Sequence, residues 1–213
     1  MKTPRILVAD DHVLVAEALT SMLKPAHDVV ATVSDGRSLL EVASKLKPDL
    51  IIVDIGMPQL NGLDATRQIK RLLPSVKIII VTMNEDSNLV AQAFGAGASG
   101  YLLKHSASKE LLFAIQEVLK GGSYLSPRIT SGAVEAMLRS GTLKSEEAYE
   151  LTQRQREVIQ LLAEGRSMKE IAEVLTISLR TVAAHKYRVM ELLKITTNAE
   201  LYRYAVRHQM VTV

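Results

Sequence analysis

The sequence predicts an α/β domain, a doubly wound sheet of five parallel strands, followed by a smaller domain built from helices alone. Three observations predict it. Up to residue 120, short apolar runs alternate with segments whose apolar residues recur at three-and-four spacing. A stretch dense in glycine, serine and proline, "GGSYLSPR", then interrupts the pattern. Beyond it only helical spacing remains, each apolar group preceded by a helix-capping residue.

In chain order, the runs at 5–9, 29–33, 50–53, 76–82 and 100–103 read as strands. They are apolar throughout, as a strand covered on both faces must be. The segments 13–23, 36–46, 62–72, 86–95 and 108–119 read as helices; "LLEVASKL" and "ELLFAIQEVL" show the spacing most clearly. Five successive βα units imply a parallel sheet with helices on both faces.

Composition narrows the function. Of 213 residues 47% are hydrophobic and 23% charged, enough chain for two modest domains. No apolar run is long enough to span a bilayer, and "MKTPRILVADDH" has no signal-peptide pattern, so a soluble, cytoplasmic protein with no membrane partner is expected. The absence of cysteine excludes disulfides, thiolate metal sites and a cysteine nucleophile. Residues 1–120 carry 13 basic and 13 acidic side chains, whereas 121–213 carry 13 and 10. The net charge of +3 thus lies in the C-terminal part, which hints at an anionic partner there.

Ligand crevices in doubly wound sheets lie beyond the carboxyl ends of the strands. Strand one ends at Asp10 and Asp11, strand three at Asp54, strand four at Thr82, and Lys104 follows strand five. Three converging carboxylates repel unless a cation sits among them. Oxygen donors alone suit a hard ion, and Mg2+ is the expected cofactor. Such an ion also holds phosphoryl groups, with Lys104 and the Thr82 hydroxyl as further contacts.

The motifs "VADDH", "DIGMPQLNG", "VTMN" and "GYLLKH" closely resemble the flavodoxin-like receiver domain of bacterial two-component response regulators. The resemblance implies that Asp54 is the phosphoacceptor and that Asp10, Asp11, Asp54 and the Gly56 carbonyl surround the ion. It implies that Thr82 and Tyr101 form a switch pair and that Lys104 touches the phosphoryl group; on phosphorylation Thr82 is expected to move toward the phosphate and Tyr101 to turn inward into the vacated space. Gly56 and Asn84, two residues beyond Asp54 and Thr82, leave the phosphate lifetime open, and His105 stands where the family often has proline.

The receiver is expected over 1–122, a linker with a weak helix over 123–147, and the second domain over 148–213. In the latter, Thr152 opens "TQRQ" and Ser167 opens "SMKE", both capping-box patterns, with Gly165 as a stop between them. Ser178 can cap a third helix from Leu179 to about Lys194, and Asn198 a fourth ending near His208. The second and third, joined by the turn "TIS", form a helix-turn-helix. On the third, Val182, Val189 and Leu193 face inward with His185, while Arg180, Ala184, Tyr187, Arg188 and nearby Lys186 lie opposite. A small residue among cations suits a major groove, although such a face is often merely solvated.

The stretch "LTQRQREVIQLLAEGRSMKEIAEVLTISLRTVAAHKYRVMELL" strongly resembles the LuxR-type DNA-binding domain. With the receiver it resembles a NarL/FixJ-type response regulator. The resemblance implies operator DNA as partner, contacted through Lys169, Ser178, Arg180, Thr181, Ala184, Lys186, Tyr187 and Arg188. It also implies a sensor histidine kinase as phosphoryl donor, and a homodimer when active through the fourth helix. Gln155, Met168 and Ala183 depart from the family pattern, and Ala183 removes a common lysine contact.

The expected function is a transcription factor, not an enzyme, in which phosphoryl transfer to Asp54 controls dimerisation and DNA binding. Two alternatives compete. A haloacid-dehalogenase-like phosphatase wants a second acid two residues after its nucleophile, where Gly56 stands. A protein-binding module would lack the steep salt dependence of DNA binding.

Overall fold

The computed structural model describes residues 3–130 and 151–211. In the first domain the chain runs β1 (Arg5–Ala9), α1 (Val13–Leu23), β2 (Asp28–Val33), α2 (Gly36–Leu46), β3 (Leu50–Val53), α3 (Gly62–Leu72), β4 (Lys77–Thr82), α4 (Ser87–Gly95), β5 (Gly100–Leu103), α5 (Ala107–Leu119) and β6 (Tyr124–Leu125). Every pairing is parallel, in the order β2-β1-β3-β4-β5-β6.

Period two in the strands builds both cores. Leu7, Ala9, Ile51, Val53, Ile78 and Ile80 face one side, where they meet Leu39, Leu63, Ile69, Leu89 and Val90 of α2, α3 and α4. Ile6, Val8, Leu50, Ile52, Ile79 and Val81 face the other, against Leu19 and Leu23 of α1 and Leu111, Ile115 and Val118 of α5. Full burial of each of these valine, leucine and isoleucine side chains contributes about 1.5–3 kcal/mol.

The sixth strand corrects the expected five. Two residues long, it lies inside the stretch read as a domain edge, and it pairs with β5 through Gly100 and Tyr101. Its signal is too short for any alternation to show. The boundary expected between residues 147 and 148 and most of the 123–147 linker lie outside the described residues; the described start of that linker holds β6 and a short turn of helix at Pro127–Ile129.

The second domain is helical: α6 (Gln153–Ala163), α7 (Met168–Leu175), α8 (Leu179–Leu192) and α9 (Asn198–Arg207). Thr152 with Gln155 and Ser167 with Glu170 form reciprocal capping boxes, and the Ser178 hydroxyl accepts from the Thr181 amide at 3.1 Å. Thr197, not Asn198, caps α9, because Glu200 stands three residues after Thr197 and completes a third box. Gly165 ends the α6 turn at φ 82, and Thr176 makes the α7–α8 turn at φ 53. Val158, Leu161, Ile171, Leu175 and Val182 form one small core, and Ile159, Val189, Leu201 and Ala205 anchor another.

Candidate functional site

The order β2-β1-β3 places the reversal of the sheet between β1 and β3, and the carboxyl ends of those strands open a crevice there. Register aligns Ala9 with Val53, so Asp10 and Asp54 leave the sheet side by side, and the Asp54 amide donates to the Ala9 carbonyl at 2.8 Å. Both carboxylates are buried, and ligand atoms of Asp10, Asp11, His12 and Asp54 lie within 4.8 Å of one another. Lys104, at the end of β5, reaches Asp10 Oδ2 at 2.9 Å and Asp54 Oδ2 at 3.0 Å. Asp54 Oδ1 accepts from the Ile55 amide at 2.8 Å.

Burial raises the Asp54 pKa; Lys104 opposes this through its charge and hydrogen bond, while Asp10 and Asp11 add to it. For Lys104, burial works against the ammonium, but the hydrogen bond to Asp10 and the charge of Asp54 outweigh it, and its pKa is raised. The cluster therefore keeps a cation in place beside its acids.

His12 joins the cluster unforeseen. Its Nδ1 lies 2.9 Å from Asp11 Oδ1 and 3.3 Å from Asp10 Oδ1, and its backbone amide donates to Asp10 Oδ1 at 2.9 Å. The buried oxygens Asp10 Oδ2 and Asp11 Oδ1 have nitrogen atoms of Lys104 and His12 alongside but accept no well-directed hydrogen bond. Free lone pairs on clustered carboxylates are what a hard divalent cation satisfies, so the donor set fits one. A cavity of about 260 Å³ opens over Asp54, lined also by His12, Gly56, Thr82, Asn84 and Lys104. A residue of the other domain, Gln209, lines it too.

Tyr101 differs from expectation. It is already inward and fully buried, its hydroxyl donating to the Asn84 carbonyl at 2.9 Å. Burial, then the charges of Asp86 and Asp54, push its pKa up, so it stays a neutral donor. The Asn84 amide in turn donates to Thr82 Oγ1 at 3.3 Å, so the backbone of one residue touches both members of the expected switch pair.

Of the residues expected to meet DNA, Arg180, Ala184, Tyr187 and Arg188 stand at i, i+4, i+7 and i+8 and share one face of α8. Lys169 of α7, Ser178 at the α8 cap and Arg180, Ala184, Tyr187 and Arg188 of α8 are exposed, with Thr181 and Lys186 half-buried beside them. Val182 and Val189 are buried as expected, whereas His185 and Leu193 are half-buried. Lys186 Nζ lies 5.6 Å from the Tyr187 ring centre, and Arg188 pairs with Glu191 at 2.8 Å.

The sequence reading missed the junction between the domains. Among the described residues, every side-chain hydrogen bond across it comes from α6 or its C-terminal cap. Gln153 accepts from Arg71 at 3.1 Å, Arg156 donates to Asp64 at 2.7 Å, and Glu157 accepts from Arg37 at 3.2 Å and Gln68 at 3.1 Å. Gln160 and Glu164 bond the loop after Asp54. Positions 153, 156, 157, 160 and 164 form one stripe of a helix. Glu157 and Gln160 are buried there. A polar stripe reads in sequence as a solvated face, and nothing in the α6 segment marks it otherwise.

Two family models divide the chain: the response regulator receiver domain matches residues 6–116, and the LuxR family of bacterial regulatory proteins matches 149–205. The chain belongs to the response regulators with a LuxR-type DNA-binding domain. This response regulator is 35% identical over 211 residues to response regulator GacA of Pseudomonas aeruginosa, covering 97% of each chain. It is 36% identical to the transcriptional regulatory protein LnrK of Bacillus subtilis, covering 96% of this chain and 97% of that one. Among solved structures it resembles RcsB from Salmonella enterica serovar Typhimurium bound to a promoter in the presence of a phosphomimetic, with a TM-score of 0.63, 25% identity, and coverage of 99% and 100%. As a member of this family the response regulator is a DNA-binding regulator of transcription, not an enzyme, which sets aside the phosphatase and protein-module readings. No helix among its described residues is long and apolar enough to cross a membrane.

Proposed function

We propose that Asp54 accepts a phosphoryl group from a sensor histidine kinase and that this controls binding of a homodimer to operator DNA in the cytoplasm. The observation that carries it is Lys104 bridging Asp10 and Asp54 inside the acidic cluster, at 2.9 and 3.0 Å. A carboxylate oxygen of Asp54 attacks phosphorus, the bond to the donor's imidazole nitrogen breaks, and Asp54 becomes an acyl phosphate. Asp10, Asp11, Asp54 and the Gly56 carbonyl would hold Mg2+, which when bound supplies charge neutralisation for two approaching anions. Lys104 then moves its hydrogen bond from the Asp54 carboxylate to a phosphoryl oxygen.

Thr82 turns its hydroxyl toward another phosphoryl oxygen, releasing the Asn84 amide. The carbonyl of the same residue holds Tyr101, so the two switch residues are coupled through the Asn84 backbone and need no contact with each other. Lys169, Ser178, Arg180, Thr181, Ala184, Lys186, Tyr187 and Arg188 meet the DNA; the exposure of six of them, with Arg180, Ala184, Tyr187 and Arg188 sharing one face of α8, supports this. The RcsB relative bound to a promoter supports the partner, and another RcsB structure holds two dimers on two DNAs.

Mass spectrometry after treatment with acetyl phosphate and Mg2+ tests the site. One phosphoryl group on Asp54, lost in Asp54→Asn, is expected; label on any other residue overturns the assignment.

A further inference from the structure

The loop that follows Asp54 is not held by its own domain alone. The Gln59 amide donates to Glu164 Oε1 at 2.8 Å, and the Asn61 amide donates to Gln160 Oε1 at 2.8 Å. Gln160 Nε2 donates to the Met57 carbonyl at 3.2 Å and to Glu164 Oε1 at 2.9 Å. Asn61 Nδ2 adds a further bond to Gln160 Oε1 at 3.1 Å. Three backbone groups between the acceptor aspartate and α3 thus end on two side chains of the DNA-binding domain. Gln160 is 1% exposed, so these bonds do not exchange with water while the domains are docked. Gln59 sits at φ 64, a left-handed conformation that a residue other than glycine adopts at a cost.

The same loop carries Gly56, and Gly62 ends it against the Asp54 carbonyl, where an added Cβ would lie 2.1 Å from that oxygen. A loop packed this closely cannot shift at one end without disturbing the other. The docked domain also brings Gln209 to the mouth of the cavity over Asp54. No buried apolar cluster joins the domains among the described residues, so polar bonds of this kind carry the docking.

We infer that Gln160 and Glu164 are positioning residues for phosphorylation: through Met57, Gln59 and Asn61 they hold the acceptor loop in an arrangement that resists phosphoryl binding at Asp54. This rests on Asp54 being the acceptor. Linkage requires the effect to run both ways, because a loop that binds α6 less well when Asp54 is loaded also loads more readily when α6 is released. The exposed face of α8 plays no part in it.

The test uses the full chain with Mg2+ and beryllofluoride, a phosphoryl mimic. Its affinity is measured by calorimetry, and α6 and residues 57–61 are followed by hydrogen exchange. The double substitution Gln160→Leu with Glu164→Ala should tighten binding by about 5- to 150-fold, the range of ordinary coupling. Glu164→Gln keeps an acceptor oxygen and should stay close to the parent protein. In the parent, beryllofluoride should speed exchange in both segments. Non-specific DNA binding, unchanged in the double variant, reports that its helical domain is folded. Unchanged or weaker beryllofluoride affinity in the folded double variant overturns the inference. Binding that survives Asp54→Asn instead overturns the acceptor assignment, which is a separate failure.

Discussion

Asp54 is 5% exposed beside two other carboxylates, and its charge has one close cationic partner, the Lys104 ammonium at 3.0 Å. Because its pKa is raised, the folded state binds the Asp54 proton more tightly than the unfolded chain does. The ionised group therefore subtracts stability, a cost absent below the unfolded pKa and complete above the folded one. Asp54→Asn should raise the thermal midpoint at pH 7, and the gain should shrink as pH falls toward 4; calorimetry giving a lower midpoint at pH 7 would contradict this. On α8, Arg180 and Arg188 are exposed. Replacing either by alanine should weaken DNA binding and reduce the slope of log affinity against log salt by about 1 if it contacts phosphate. A titration series from low to moderate salt measures this, and unchanged slopes for both would remove them from the phosphate contacts. The acids, Thr82 and Lys104 were legible as residues because each stands where an apolar run stops. His12 was not, since its place among the acids depends on how the chain turns after β1.

At the scale of elements, caps and close approaches set the boundaries. Glu200 accepts from the amides of Thr196 at 2.9 Å and Thr197 at 3.0 Å, and these bonds, with the Thr197 hydroxyl, hold its pKa down to about 2. A depressed carboxyl stabilises above its unfolded pKa of 4.5 and loses that contribution as pH falls toward 2. Glu200→Gln should flatten the fall in stability of the helical domain between those values, checked by urea unfolding at pH 5 and pH 3. Two glycines open α2 and α3. A Cβ on Gly36 would lie 2.0 Å from the Leu60 carbonyl oxygen, and one on Gly62 would lie 2.1 Å from that of Asp54. Gly36→Ala and Gly62→Ala should each destabilise the receiver by about 1–3 kcal/mol, and denaturant midpoints within error of the parent would show that the loop yields freely. The helix and strand spans were readable from periodicity and caps. The need for glycine at 36 and 62 was not, because each close neighbour lies in a loop distant along the chain or folded back on the helix start.

For the whole molecule, the apolar cores stay within their domains and the described contact between them is polar, through Arg37, Gln68, Arg71 and Asp64 on one side and α6 on the other. Polar interfaces of this kind couple domains weakly. Differential scanning calorimetry should resolve two unfolding transitions, and Glu157→Ala, which strands Arg37 and the neighbouring Arg154, should separate them further. A single transition whose calorimetric and van't Hoff enthalpies agree would mean the domains unfold as one unit.

Local pattern alone determined the alternating strands and helices, the capping boxes and the edge of the sheet where acids and a lysine emerge. These are properties of period, residue type and neighbours a few positions apart, which a chain carries before it folds. The grip of Gln160 and Glu164 on the loop after Asp54, the inward Tyr101 and the two-residue β6 exist only because distant segments meet in space. A buried polar stripe and a solvated one have the same composition, and only packing against another surface tells them apart.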